Sequence, residues 1–334
     1  MPDGRQVTPT RSAYLELKDE RQLIQEGYEF LDEKRMIVAQ EMLRQLAAAH
    51  LGQAVEHLGH ELARSCPEDI ALVATDHDTL DITDIHAIQA AFEAHRPDWL
   101  INAADYTAVD KAESEPEKAA AINATAAGNL ARICRERNVS MVQISTDFVF
   151  DGAQSTPYLP GDETHPLGVY GATKLEGERA VRSALPGALI IRTSWLYSAH
   201  GNNFVKSMLT LMQSRDELSI VADQVGSPTW AATLANTAWR LMRQDAQGIY
   251  HCSDNGVASW YDFAVAIQEE ALAAGLLQRA IPVRPIRTEQ YPTAAKRPSY
   301  SVMDKQSTEA ALGETFPHWR VSLRRMIAEV AGAD

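Results

Sequence analysis

Tyr170 and Lys174 stand four residues apart, which on a helix puts a phenol and an ammonium one turn apart on one face. A phenol beside a cation can deliver a proton to a carbonyl oxygen that is becoming an alkoxide, the charge tuning its acidity. Upstream, Ser145-Thr146-Asp147 follows an apolar run, so the Thr146 hydroxyl lies at a strand exit where it could hold the same oxygen. The spacing alone is weak evidence, because Tyr14 and Lys18 repeat it in a stretch that reads as a surface helix face. What distinguishes Tyr170 and Lys174 is their setting: the threonine at the preceding strand exit, Gly171 after the tyrosine, and a helix to follow. The bland alternative is the start of an amphipathic helix.

The elements that must carry these groups are visible as short apolar runs alternating with helical stretches. Ile70–Ala74, Trp99–Asn102, Met141–Ser145 and Ala188–Arg192 read as buried parallel strands, and 82–95, 118–138 and 170–183 as crossover helices. This alternation predicts an α/β fold with a doubly wound parallel sheet, in which ligands bind beyond the carboxyl ends of the strands. Three strand exits then matter: Asn102-Ala103-Ala104-Asp105-Tyr106-Thr107, Ser145-Thr146-Asp147, and the turn into Tyr170-Gly171-Ala172-Thr173-Lys174. Beyond Trp195 the alternation weakens and proline-containing loops appear, as suits a smaller substrate-facing region. At the front, residues 14–49 contain no proline and one glycine, with Leu17, Ile24, Leu31 and Val38 repeating every seven residues. That pattern predicts a long N-terminal helix with a coiled-coil-like seam. The expected division is 1–49 helix, 50–194 dinucleotide-binding domain, and 195–334 mainly substrate-binding region.

Composition limits the partners. With 334 residues and a formal charge of −14, the chain would repel nucleic-acid backbones and anionic membrane surfaces. No apolar stretch is long enough to span a membrane and the N-terminus lacks a signal core, so a soluble, cytoplasmic protein is expected. Three scattered cysteines exclude a disulfide framework and a thiolate zinc site. His57, His60 and Glu61 run in an order unlike that of helical zinc hydrolases, and no metal site is assigned to them.

From about residue 60 to the end, the chain resembles the dTDP-4-dehydrorhamnose reductases, a family of extended short-chain dehydrogenases. The stretches that carry the likeness are Leu80–Asp84, Asn102–Ala104 with Tyr106–Glu113, Ser145–Gly152, Tyr170–Lys174, Arg192–Trp195, Asp223–Thr229, Gly248–His251 and Arg297-Pro298. The resemblance implies a Rossmann-like sheet, NADPH or NADH as cofactor, and reduction of the 4-keto group of a dTDP-linked deoxyhexulose to dTDP-L-rhamnose. It implies Thr146, Tyr170 and Lys174 as the catalytic set, with Lys174 also holding the nicotinamide ribose. Gly59, Asp81, Ile82, Ala103, Ala104 and Tyr106 would approach the cofactor, and Asp147, Phe148, Trp195 and Arg297 the nucleotide-sugar. A homodimer and Mg2+ at a subunit contact stay open.

This chain departs from the family pattern in four places. Phe148 stands where the family often has tyrosine, and Asp105 where alanine is usual, adding a charge where phosphates are expected nearby. Gln53 and Glu56 fall where the first two glycines of the phosphate-cradling turn belong, and the helix-prone Ala47–Gly52 where a central strand belongs, so the first strand is expected to be missing. Residues 6–46 instead resemble the N-terminal helix of the D-type central-stalk component of the V/A-type rotary ATPase. A non-enzymatic alternative follows, in which residues 14–46 bind a helix partner such as a rotary ATPase stalk.

Overall fold

The computed structural model describes residues 57–332 of the chain. The N-terminal helix, the likeness to a stalk component, and the Gln53 and Glu56 positions therefore lie outside the described residues. The described residues belong to one compact unit.

The central sheet has four parallel strands in the order β1 (Trp99–Asn102), β2 (Ser140–Thr146), β3 (Leu189–Thr193) and β8 (Gly248–Cys252). Small two-stranded pairs take up the rest: β4 (Leu196–Tyr197) with β7 (Thr229–Trp230), β5 (Leu218–Val221) with β10 (Val283–Ile286), and β6 (Val225–Gly226) with β9 (Ala258–Ser259). β2 and β3 are buried throughout except Ser140, and alternate side chains enter opposite cores, as a sheet covered on both faces requires. Met141 packs with Ile88 and Phe92 of α2 (Ile85–His95), Leu130 of α5 (Ala127–Arg137) and Val181 of α6 (Val169–Ala184). Val142, Ile144, Leu189 and Ile191 pack with Leu58 and Leu62 of α1 (Leu58–Arg64) and Leu234 and Trp239 of α8 (Ala231–Arg243). Helices on both faces make the fold the doubly wound one that the alternation predicts. A third core, built on Val205 and Met208 of α7 (Phe204–Ser214) with Phe263, Leu323 and Met326, fills the C-terminal region.

One expected strand is corrected. Ile70–Ala74 forms no ladder, and Leu72 and Val73 are 40% and 53% exposed. In the doubly wound order 3-2-1-4-5-6, the second strand pairs only with its neighbours, the first and third. Among the described residues β1 has no partner on its outer edge, so the apolar run has no seat beside it. Conversely β8 comes from beyond residue 195, so the C-terminal region completes the sheet as well as forming its own core.

Short helices α3 (Val109–Ala112) and α4 (Pro116–Ala120) follow β1, and α4 continues through a π-helical stretch, Ala121–Ala126, into α5. α6 packs against this stretch and against the turn after β2 at two glycines. A Cβ on Gly171 would lie 2.2 Å from the Phe148 carbonyl oxygen, and one on Gly177 would lie 2.0 Å from that of Asn123. No helix among the described residues is long and apolar enough to cross a membrane.

Candidate active site

Tyr170 and Lys174 occupy the first turns of α6, and the β2 exit delivers Thr146 and Asp147 beside them. Lys174 is 3% exposed and its ammonium donates to the Ile144 carbonyl at 3.0 Å, which ties α6 to β2. A buried ammonium needs a counter-charge. Asp105, three residues beyond β1, supplies it: Oδ2 lies 3.0 Å from Lys174 Nζ and accepts the Tyr170 hydroxyl at 3.1 Å. Asp105 thus joins Tyr170 and Lys174, two of the three residues expected as the catalytic set, in one hydrogen-bonded trio.

The loop that holds Asp105 is braced at both ends. The Asn102 side chain donates to Gln143 and accepts from the Ala104 amide, and the Tyr106 amide donates to Asn123 Oδ1 at 2.8 Å. Asn123 in turn donates to Thr173 Oγ1 at 3.1 Å, between Tyr170 and Lys174 on α6. Asn123 is a residue that sequence reasoning missed, since one asparagine in an alanine-rich helix carries no visible signal.

The electrostatics differ from expectation. Lys174 alone would lower the pKa of the phenol, but burial, and then the Asp105 charge, raise the Tyr170 pKa well above its ordinary 10, against a smaller opposing hydrogen bond with Thr146. Tyr170 is therefore held firmly in its protonated, proton-donating form. Asp147 is 1% exposed, and burial pushes its carboxyl up to about 6 despite a 3.1 Å hydrogen bond from Thr146. Asp105 Oδ1 and Asp147 Oδ2 are buried without a hydrogen-bond partner.

The remaining expected residues fall into distinct places. Phe148 meets the Tyr170 ring edge-on at 5.6 Å, so the position contributes packing in place of a hydroxyl. Trp195, at the end of β3, has φ +46°, stacks on Trp260 at 3.6 Å, and sits over Gly226, where a Cβ would come within 2.7 Å of the indole. A tryptophan held in the left-handed region is strained, and the stack on Trp260 and the close approach of Gly226 hold it there. Arg297 is engaged bidentately by Asp110 of α3 at 2.6 and 3.1 Å, while Glu113 accepts the Val169 amide at 2.8 Å. The segment 109–113 thereby straps the start of α6 and the loop at 295–297 together.

Ala103 and Ala104 follow β1 beside this site. Tyr106 shares a small buried apolar cluster with Tyr170, while its hydroxyl donates to Glu115 at 2.8 Å, and burial with that neighbour raises its pKa to about 12. Asp81 caps its own turn by accepting from Thr83, Ile82 packs in the α2 core, and Gly59 lies in the first turn of α1. The structure does not join these three to the trio by any contact.

Away from the site, Glu61, His200 and Glu329 converge closely enough to ligate an ion. Arg64 already pairs with both carboxylates at 2.8 and 2.9 Å, so a divalent ion such as Mg2+ does not fit the group as arranged. His57 hydrogen-bonds the His200 and Asn202 carbonyls, and the His60 ring lies against that of His200, tilted, at 3.5 Å between centroids.

Known proteins share the sequence and fold of this chain. Residues 51–331 match the family model described as RmlD substrate binding domain. The dTDP-4-dehydrorhamnose reductase of Escherichia coli K12 is 39% identical over 282 residues, covering 82% of this chain and 94% of that protein. The crystal structure of such a reductase from Clostridium acetobutylicum superposes with a TM-score of 0.79 at 40% identity, covering 83% of this chain and 97% of its own. That from Bacillus anthracis, in complex with NADP, gives 0.78 at 37% identity, with coverage of 83% and 96%. Residues 6–46 precede the match, and their likeness to a rotary ATPase component finds no support in the comparisons. On sequence, fold and site geometry together, the chain belongs to the dTDP-4-dehydrorhamnose reductase family.

Proposed function

We propose that the chain reduces the 4-keto group of dTDP-4-dehydro-L-rhamnose, giving dTDP-L-rhamnose, with NADPH or NADH as hydride source. The observation that carries this is the trio of buried Tyr170 and Lys174 with half-buried Asp105 at the sheet's carboxyl edge, with Thr146 adjoining. The site fits such ligands: Ala103 and Ala104 offer only methyl groups, and the unpartnered oxygens of Asp105 and Asp147 are acceptors for ligand hydroxyls. The bound dinucleotide supplies the hydride. Tyr170 releases its hydroxyl proton to the carbonyl oxygen, Lys174 stabilises the phenolate left behind, and Thr146 helps hold the oxygen in place. Asp147 and Trp195 shape the sugar side, and Arg297, held by Asp110, borders it.

Gln53 and Glu56 weaken the phosphate end in this proposal, because a carboxylate opposes a pyrophosphate and side chains bar the close approach that glycine permits. Consumption of NADPH on addition of dTDP-4-dehydro-L-rhamnose, followed by absorbance, tests the assignment. Turnover that falls by about 10²- to 10⁴-fold in Tyr170→Phe is expected, as for loss of a general acid. No turnover by the parent chain, or an undiminished rate in the variant, overturns it.

A further inference from the structure

Asp105 is the feature of this site that the proposed reaction does not require. Its carboxylate reaches both members of the catalytic pair through a single oxygen, at 3.0 Å to Lys174 and 3.1 Å to Tyr170. The second oxygen is buried and unpartnered. The loop that carries it is fixed on either side, through Asn102 to Gln143 and through Tyr106 to Asn123, so the backbone presents the carboxylate at this place.

Consider the charge at the reacting centre. Lys174 and Asp105 together are neutral, and Tyr170 is neutral while protonated. Asp147 is the remaining ionisable neighbour of Tyr170, at the β2 exit, and Glu113 stands at the start of α6. Proton transfer from Tyr170 needs a carbonyl oxygen within hydrogen-bond reach, and hydride transfer needs the donor carbon about 3–3.5 Å from the carbonyl carbon. On the proposed function, these limits place the nicotinamide within about 10 Å of the Lys174–Asp105 pair. The reduced ring is neutral and the oxidised ring is cationic. A neutral ion pair treats the two nearly alike, whereas a lone ammonium would disfavour the cation.

We propose that Asp105 is a charge-balancing residue that sets the relative affinity of the site for oxidised and reduced nicotinamide cofactor. It rests on the reductase assignment but is read from binding, not turnover. One unit charge at this range, in a partly buried site, alters the ratio of the two affinities by about tenfold.

The experiment is calorimetric titration of NADP+ and of NADPH into the chain and into Asp105→Asn, Asp105→Ala and Asp105→Glu. The ratio Kd(NADP+)/Kd(NADPH) is expected to rise about tenfold in the Asn and Ala variants and to stay near the parent value in the Glu variant, which keeps the charge. The Ala variant stands in if Asn does not fold. A purely structural role would weaken both cofactors together and leave the ratio unmoved, and that result overturns the inference while sparing the reductase assignment. If the parent chain binds neither dinucleotide, the assignment and the inference fall together.

Discussion

Gly171 is where one methyl group should separate chemistry from folding. It follows Tyr170, and a Cβ there would sit 2.2 Å from the Phe148 carbonyl oxygen and 3.0 Å from Pro166 Cβ. Contact becomes ordinary near 3.4 Å, so Gly171→Ala forces the start of α6 and the turn after β2 apart by about 1.2 Å. That turn holds Thr146, and the helix holds Tyr170 and Lys174. A displacement of about 1 Å between reacting groups costs on the order of 10²-fold in rate. Overpacking costs about 1–3 kcal/mol in stability, partly offset by the better helix propensity of alanine. NADPH-oxidation kinetics with dTDP-4-dehydro-L-rhamnose, alongside calorimetric melting, should show a roughly hundredfold loss of kcat in a chain that still melts cooperatively. Gly161→Ala, where nothing lies within 4 Å, should match the parent. A Gly171→Ala chain with kcat within a few-fold of the parent would refute the claim that this approach positions the proton donor.

Other expectations follow from single sites. Glu56→Gly should tighten NADPH binding, measured by fluorescence titration, because it removes a carboxylate from the expected pyrophosphate position; unchanged affinity would mean that other residues build the cradle. His251 is fully buried, and desolvation with the nearby Arg192 charge holds its pKa down to about 3. The unfolded chain takes up that proton near pH 6.5 while the folded chain does not, so stability is lost as pH falls from 6.5 towards 3. The loss reaches roughly 4–5 kcal/mol, and His251→Asn should flatten the slope of urea-unfolding midpoint against pH over that window. Arg192 and Glu178 form a buried bidentate pair at 2.7 and 2.9 Å, with Ser145 donating to the same carboxylate at 2.5 Å. Glu178→Ala leaves the guanidinium uncompensated and should cost about 3–5 kcal/mol in unfolding free energy, whereas a change below 1 kcal/mol would show that water reaches Arg192.

Much of the sheet is legible because buried parallel strands are written as plain apolar runs. Trp99–Asn102, Met141–Ser145 and Ala188–Arg192 all lie on or within a residue of observed strands, and the helix that carries Tyr170 begins at Val169. The same rule misassigns Ile70–Ala74, since an apolar run records a willingness to pair and not the presence of a partner. β8 escapes reading as a strand because Gly248 and His251 interrupt its apolar character, although both sit in the ladder beside β3. Within the site, residue types are visible in the sequence but pairings are not. Asp105 is 65 residues from Tyr170, and Asp110 is 187 from Arg297, so no local pattern announces either contact. The charge at Asp105 stands out as a departure that suggests the phosphates, whereas it faces the catalytic pair.

The seat of α6 has a consequence for exchange of parts. The contacts that fix Tyr170 and Lys174 come from residues 102–148: Asp105, Glu113, Asn123, Ile144 and Phe148. None of these belongs to the segment ahead of β1. Among the described residues, the segment ahead of β1 thus serves the pair only indirectly, through α1 and α2, which cover the two faces of the sheet that carries Ile144 and Thr146. Grafting a glycine-rich opening onto residue 57 is accordingly an operation on cofactor capture that leaves the proton donor in register.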